Sequence, residues 1–534
     1  MAVWSRARKG ADLGARLAAD RVTRTRRLPG ARPDAASVLV ESEGLRLWAT
    51  VRERATPTEV HGEALAAALG ALRGAGLEVV GITESTSRCR LAVTAVDPRI
   101  VLEALAPLGP GWYVGERVRD HLVGVTAVAD LDTTSRDGSR VLAVLRPVTD
   151  VRGRGVLGVR EAVQVEVWAP GADGATAPVR NRWTTSLPAS EKVDAVVRVA
   201  GVDVPTHATI ARGHVDDLTF PVDAVLTWVD GDDAAWRDRM AQARTAADAD
   251  RHDARAVSES RFRSLDELRY ALRALEAFAP WIRHVWLVTD AQTPSWLAED
   301  HAGLTVVDHR EIWADPDALP VFNSHAIESQ LHRIDGLAEH YVYVNDDVLL
   351  RRPLEPSAFF SPGGVLRIHP SLNVVGLGPA TTADSAPVAA LKNDRALLER
   401  TGSRVPASTF WHVPHPQRVS VQAELEAAFA AEFAATAAHR FRSPADISAV
   451  SLGMWHAYRT GRAVPGTLTC RYVDLVDAAG LAAMRDVAKH DAWDVVCLNQ
   501  STDPSVDAGE VAHLVSTTLD RWYPFPSRWE RPDA

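Results

Sequence analysis

The 534-residue sequence has only three cysteines and no long apolar run. Cys89, Cys470 and Cys497 are too few and too widely spaced for a disulfide framework or a zinc site, which favours a reducing cytosol. No stretch of about 18 uncharged apolar residues occurs, so the sequence predicts no membrane-spanning helix. The formal net charge of −10 argues against a general nucleic-acid binder, which would present a broad basic face.

The length and the composition indicate a soluble protein of several domains. A hydrophobic content of 46% with 24% charged residues is sufficient for a sizeable core. Shifts in composition divide the chain into a basic N-terminal arm over residues 1–36, an α+β accessory domain of unknown role over 37–215, and a larger domain over 216–534.

The N-terminal arm lacks the apolar core of a signal peptide and is instead rich in basic side chains. Two interpretations remain open: peripheral contact with an anionic membrane surface, or a solvated arm. A Pro- and Gly-containing turn at 28–33 ends the arm. The basic residues are Arg6, Arg8, Lys9, Arg16, Arg21, Arg24, Arg26, Arg27 and Arg32.

The segment 37–215 reads as a β-rich domain without a recognisable chemical constellation. Strands are predicted over 45–51 and 163–168, where apolar and polar residues alternate, and a helix over 59–72. Its aromatic residues are explained more simply by core packing than by contact with a glycan.

From residue 216 the pattern becomes that of an α/β domain with a mostly parallel, Rossmann-like sheet. Apolar strands are predicted over 223–229, 284–289, 304–307 and 341–344, with helices between them. A helix from 265 is predicted to be capped by Ser264, with Glu267 completing a capping box, and another helix spans 324–334. Ligands of such sheets bind outside the carboxyl ends of the strands.

The turn Asn345-Asp346-Asp347 is the strongest chemical feature of this domain. Two adjacent carboxylates at a strand end suit a divalent cation, Mg²⁺ or Mn²⁺, which also binds phosphate oxygens. An Asp-rich surface turn is the alternative. The spacing of Asp230 and Asp232 is typical of metal–diphosphate sites and equally of an ordinary β-turn.

Further along, polar side chains recur in patterns that suit substrate contact. His325, Glu328 and His332 would share one helix face, as an acceptor or metal site or as a structural polar stripe. His412 lies in a proline-stiffened segment and can act as a general base near neutral pH. Arg442 suits bidentate contact with a phosphate, although a structural role is equally open for both segments.

These segments, taken in order, resemble the four signature regions of the Stealth family. The resemblance covers residues 220–530. It is carried by 223–233, by 261–264 with 279–283 and 289–296, by 322–334 with 345–347, and by 490–499. The family includes bacterial capsule and exopolysaccharide phosphotransferases and the animal N-acetylglucosamine-1-phosphotransferase that tags lysosomal enzymes.

The resemblance implies transfer of a hexose-1-phosphate from a UDP-sugar donor to a hydroxyl of a glycan acceptor, with release of UMP. It implies catalytic roles for Asp346, Asp347, His412 and Arg442, with a metal on the two aspartates. It also implies substrate contacts for a wider set: Thr227, Trp228, Asp232, Arg263, Asn323, Ser324, His325, Glu328 and Asn499.

Two positions depart from the family pattern. Gln500 stands where relatives often have Asp, and Asp230 where some have Asn, which weakens any metal-ligand role at either position. Two other functions remain open: a metal-dependent glycosyltransferase that releases UDP, and a glycan-binding protein without catalysis.

Overall fold

The computed structural model describes residues 30–118, 121–132, 139–247, 264–402, 404–490, 492–500 and 505–532. Most of the basic arm and the predicted substrate residue Arg263 therefore lie outside the described residues. The chain divides into two compact units, Met1–Val215 and Asp216–Ala534. None of the described helices is both long and apolar enough to cross a membrane.

In the first unit, the helices Pro57–Gly74 and Arg99–Leu105 pack on one face of a large mixed sheet. The helix Pro57–Gly74 begins at a capping box in which Thr56 accepts from the Glu59 amide and Glu59 accepts from the Thr56 amide. Its buried Leu65 and Leu72 belong to the same core as Val163 on the sheet, each contributing about 1.5–3 kcal/mol.

The strands and helices of the first unit agree in kind with the predicted β-rich α+β class. Its strands are Ser37–Ser42, Leu45–Val51, Val79–Thr83, Cys89–Thr94, Tyr113–Val118, His121–Ala127, Val141–Leu145, Val148–Thr149, Val156–Leu157, Val163–Gly171, Gly174–Thr176, Ser186–Pro188, Ala195–Val199 and Val202–Thr206. Its helices are Pro57–Gly74, Arg99–Leu105 and Ala208–Ala211 in the described residues.

The second unit is built on a central five-stranded sheet. In spatial order its strands are Leu304–Asp308, Val285–Thr289, Val222–Thr227, His340–Asn345 and His415–Arg418. The first four run parallel and the last is antiparallel. The unit is thus mixed α/β. Its smaller sheets are parallel, antiparallel or mixed, so a mostly parallel arrangement holds for the central sheet and not for the whole chain.

Shorter strands and the helices surround the central sheet. The remaining strands are Val348–Leu350, Leu366–Ile368, Pro370–Val374, Ser408–Phe410, Ala463–Pro465, Cys470–Asp474 and Val495–Asn499. The helices are Ala234–Ala247, Glu267–Phe278, His309–Ile312, Ser324–Glu328, Ala386–Thr401, Val419–Ala428, Ala430–Ala438, Ala449–Arg459, Ala478–Val487 and Ala508–Trp522 in the described part of the unit.

Two predicted helix details were wrong. Ser264 does not cap the helix that follows it: the helix begins at Glu267 after Asp266, which has φ 63°, and the Glu267 carboxylate accepts from the Leu265 amide at 2.6 Å. The helix predicted over 324–334 ends at Glu328. There the Gln330 side chain accepts from the Ala314 amide at 3.1 Å, a tertiary contact that accompanies the break in the helix.

Two buried carboxylates form ion pairs that connect elements of the second unit. Asp223, fully buried on the strand Val222–Thr227, accepts from Arg283 at 2.8 Å and from the Trp286 indole at 2.9 Å. Near the C-terminus, Glu530 is bound by Arg273 at 2.6 Å and by Arg269, both on the helix Glu267–Phe278. Such pairs fix one arrangement of chain segments, because leaving the buried carboxylate unpaired in the interior is costly.

Candidate active site

A cavity of about 660 Å³ opens at the carboxyl ends of the central strands. Thr227 and Asn345 are paired neighbours at the ends of two parallel strands, and Asp346 and Asp347 form the turn that follows. Side chains placed at such adjoining strand ends face one crevice, as expected for sheets of this kind. The four residues line the cavity.

Of the five carboxylates that line this cavity, Asp346, Asp347 and Glu267 act on one another electrostatically. Burial, and then the charges of Asp347 and Glu267, raise the pKa of Asp346 well above its usual range. Burial raises the pKa of Asp347 to about 6 and that of Glu267 to about 7. In the described part of the chain, none of the three forms an ion pair with lysine or arginine, so no such cation compensates the charge that they carry when ionised.

The carboxylate chemistry fits a hard divalent cation. Asp347 Oδ2 accepts from the Cys497 thiol at 3.4 Å, whereas the buried Oδ1 has no hydrogen-bond partner among the described residues. The described residues contain no ready-made cluster of three His, Cys, Asp or Glu ligands. The arrangement therefore suits Mg²⁺ or Mn²⁺ held by one or two carboxylates and completed by substrate oxygens, rather than a closed protein cage.

The same cavity contains Arg442, whose Nη2 donates to the Ser324 hydroxyl at 2.7 Å. Nearby, the Tyr343 hydroxyl donates to Glu328 Oε1 at 3.5 Å and lies 3.1 Å from Thr227 Oγ1. Burial raises the pKa of Glu328 to about 7, against the positive charge of Arg442. Glu328 can thus hold a proton at neutral pH, which leaves Arg442 as an available cation.

Asp446 fixes the segments that carry Arg442 and Ser324. Its carboxylate, fully buried, accepts from Asn323 Nδ2 at 2.9 Å and lies 2.6 Å from His439 Nδ1 and 3.4 Å from His325 Nδ1. Although burial alone would raise the pKa of Asp446, hydrogen bonds from His325 and His439 lower it to about 2. Asp446 therefore remains ionised and connects two parts of the chain that are distant in sequence.

His412 lines the cavity from the segment before the edge strand, and His415 lines it from the first position of that strand. His412 is exposed at the cavity, and desolvation by the protein around it lowers the pKa of its imidazole. Burial, with the charges of neighbouring histidines, lowers the pKa of His415 to about 3. A neutral imidazole at His412 is able to accept a proton at physiological pH.

The predicted site residues fall into three groups. The four proposed catalytic residues line the cavity together with Thr227, Trp228, Ser324, His325, Glu328 and Asn499. Asn323 lies behind the wall, where its side chain caps the helix Ser324–Glu328 and contacts Asp446. Asp232 does not line the cavity: it is exposed and pairs with Arg237. His332, expected on the face of His325, instead bonds Glu426 at 2.9 Å.

Several residues of the site were not singled out from the sequence. Glu267 was assigned only a capping role, and Tyr343 only a place in an apolar strand. Tyr472, which accepts a hydrogen bond from Asn499, also lines the cavity. Tyr343 could have been found from strand parity, because it is two residues before Asn345 and shares its face of the sheet.

Comparison with known proteins identifies the family. Sequence models of the Stealth conserved regions 1, 2, 3 and 4 match residues 220–248, 261–368, 411–458 and 486–534. These ranges contain all of the predicted catalytic residues.

Named relatives cover both units of the chain. An exopolysaccharide phosphotransferase of Streptomyces coelicolor is 39% identical over 86% of this chain, which spans 50% of that relative's length. A second exopolysaccharide phosphotransferase from the same organism is 38% identical over 91% of this chain and 85% of the relative's length. The exopolysaccharide phosphotransferase CpsY of Mycobacterium tuberculosis is 40% identical over 69% of each chain. The chain belongs to the Stealth family and is an enzyme of the phosphotransferase class.

Proposed function

We propose that the protein transfers a hexose-1-phosphate from a UDP-sugar to a hydroxyl of a glycan acceptor, releasing UMP, in the synthesis of a cell-surface polysaccharide. One observation carries the proposal. A single cavity contains uncompensated carboxylates at Asp346 and Asp347, the cation Arg442 and the neutral base His412. The names of the relatives, exopolysaccharide phosphotransferases, support the same reaction class.

The central sheet would serve as a Rossmann-like nucleotide-sugar core, with the donor diphosphate next to the Asn345-Asp346-Asp347 turn. Asp346 and Asp347 would hold Mg²⁺ or Mn²⁺, which neutralises charge on a diphosphate when bound. Thr227, Trp228 and Asn499 border the same space and are available for contact with the donor.

Arg442 would stabilise the charge on the transferred phosphoryl group. A guanidinium matches two phosphate oxygens at once, and Ser324 already orients it in the absence of substrate. A fixed cation in a partly desolvated cavity stabilises developing charge without reorganising during the reaction.

His412 would take the proton from the acceptor hydroxyl. As the proton moves to the imidazole, the acceptor oxygen forms a bond with the phosphorus that carries the sugar. The bond from that phosphorus to the oxygen bridging it to the uridine-bearing phosphate breaks, and UMP leaves with the electron pair. Asp347 is the second candidate for this base.

The identity of the nucleotide product tests the proposal. The full-length protein would be incubated with a panel of UDP-sugars, Mg²⁺ and an oligosaccharide acceptor, and the nucleotides separated by chromatography. UMP with a phosphodiester-linked product is the expected result. UDP with a product lacking phosphate would instead establish a glycosyltransferase. Donor binding with neither nucleotide released would indicate a glycan-binding protein without catalysis.

A further inference from the structure

The first unit contains a separate cavity of about 460 Å³ with an unusual arginine content. Five arginines line it, and the one lining carboxylate, Glu84, accepts from Arg90 Nε at 2.6 Å. Its volume falls within the range of small-molecule sites. The arginines are Arg88, Arg90, Arg117, Arg160 and Arg180.

Neighbouring strands of the large sheet form the floor of this cavity. Arg90, Gln164, Val141 and Arg117 line it from the strands Cys89–Thr94, Val163–Gly171, Val141–Leu145 and Tyr113–Val118, which are adjacent in that order. Arg88 precedes the first strand, and Arg180 comes from the loop that follows Gly174–Thr176. Regular sheet structure therefore supports the site.

Hydrogen bonds to a buried carboxylate and to a backbone carbonyl position two of the arginines. Arg90 Nη1 donates at 3.1 Å to Glu166, a fully buried carboxylate that also accepts from the Trp168 indole at 2.9 Å. Arg88 Nη1 donates to the Arg160 carbonyl at 3.0 Å. Side chains held in this way keep their geometry in the absence of a ligand, which lowers the entropic cost of binding one.

Arg160 and Arg180 line the cavity from exposed positions. Arg160 pairs with Glu43 at 2.9 Å, but both side chains are about half exposed, and such surface pairs contribute little. Arg180 has no ion pair or hydrogen bond with any residue the structure describes. The positive charge also acts on His61 in the cavity wall, where burial and then the charge of Arg88 lower the pKa to about 4.

We propose that this cavity is a second anion site, distinct from the active site, that binds the phosphate ester of a sugar phosphate. Guanidinium groups converging from several directions match the tetrahedral oxygens of phosphate better than a planar carboxylate. The choice of a sugar phosphate rests on the proposed function, since that reaction consumes and produces sugar-linked phosphate. The ligand is either a free hexose-1-phosphate or a phosphodiester within the growing glycan.

Arginine labelling with phenylglyoxal, read by peptide mass spectrometry, tests the site in the full-length protein. The probes are inorganic phosphate, glucose 1-phosphate and the methyl phosphodiester of glucose. Labelling of Arg117 and Arg180 should fall roughly tenfold when a probe is present at about ten times its dissociation constant. The exposed Arg152, which does not line the cavity, is the internal control and should not change.

The three probes distinguish the sources of the phosphate. Protection mainly by glucose 1-phosphate indicates a free sugar phosphate, and protection mainly by the diester indicates the glycan. In the Arg180→Gln variant, protection of Arg117 should weaken severalfold, whereas in Arg152→Gln it should persist. Absence of protection by any probe, or equal protection by sodium chloride at the same ionic strength, would overturn the proposal. Neither result depends on which nucleotide the active site releases.

Discussion

The Arg442 guanidinium donates to the Ser324 hydroxyl at 2.7 Å, across 118 positions of the sequence. Arg442 follows the helix Ala430–Ala438 of the third conserved region, whereas Ser324 begins a short helix of the second. Asp446, four residues after Arg442, accepts from Asn323, the cap of that same short helix. The side chain that would contact phosphate is therefore oriented from two directions before any substrate binds.

Loss of the Ser324 hydroxyl should reduce turnover without unfolding the protein. A hydrogen bond to a charged group contributes about 1.5–3 kcal/mol, so Ser324→Ala should lower kcat about 10- to 100-fold. Ser324→Thr, which keeps the hydroxyl, should retain more activity. UMP release under saturating donor is the measurement, and equal rates for wild type and Ser324→Ala would show that the contact does not orient Arg442.

Removal of the proposed base should affect the chemical step most strongly. His412→Ala is expected to lower kcat by about 10²- to 10⁴-fold, the usual contribution of a positioned base, with donor affinity nearly unchanged. His513→Ala, on the exposed side of the helix Ala508–Trp522, is the matched control and should behave as wild type. Near-full activity of His412→Ala would exclude it as the base and favour Asp347.

The metal requirement of the reaction should depend on Asp346 and Asp347 and not on Asp232. Treatment with EDTA should abolish UMP release, and Mg²⁺ or Mn²⁺ should restore it. Asp346→Asn and Asp347→Asn should each raise the Mg²⁺ concentration needed for half-maximal rate at least tenfold, about 1.4 kcal/mol. Asp232→Asn, altered at an exposed residue outside the cavity, should leave that Mg²⁺ concentration unchanged. The reverse pattern would support the glycosyltransferase alternative.

The Glu328 carboxyl group should make stability depend on pH. Burial raises its pKa from 4.5 to about 7 against the charge of Arg442, with Tyr343, Asp446 and Asp394 also nearby. Between these values the folded state holds a proton that the unfolded chain has released, so stability falls as pH rises through this window. The Tm of Glu328→Gln minus the Tm of wild type is therefore a difference that should become more positive from about pH 5 to about pH 8. A difference that is constant with pH would show that Glu328 ionises normally.

The Asp446 cluster should contribute strongly to folding. Asp446→Asn removes the charge that faces His325 and His439 in the interior, and breaking a buried pair costs about 3 kcal/mol or more. Chemical denaturation at neutral pH should show this loss. Asp335→Asn, in an exposed turn of the same unit, should stay within about 0.5 kcal/mol of wild type. A similar small change for Asp446→Asn would mean that the cluster is dispensable.

Much of the central sheet was predictable because its signals are local. The strand predicted over 341–344 is His340–Asn345, and the apolar run ends where the Asp346-Asp347 turn begins. Parallel strands place their carboxyl ends at one edge, so a crevice lined by Thr227 and Asp346 followed from the alternation of strands and helices. The order of the motifs, more than any one of them, identified the family.

The rest depended on contacts between distant residues. The left-handed backbone at Asp266 moves the start of its helix to Glu267 and places that carboxylate on the cavity. Nothing in the local sequence connects Asp446 to Asn323, 123 positions away. Likewise, a helical pattern over 324–334 contains no signal that Gln330 will bond the Ala314 amide.

The pairing of Glu530 with Arg269 and Arg273 has a practical consequence for the study of this enzyme. The helix held by that carboxylate begins at Glu267, which lines the active-site cavity. A variant shortened before Ser527 would lack Glu530. Arg269 and Arg273 would then lose their carboxylate partner on the helix whose first residue lines the candidate active site. Changes at the far C-terminal positions should accordingly be designed and scored as changes to the active site.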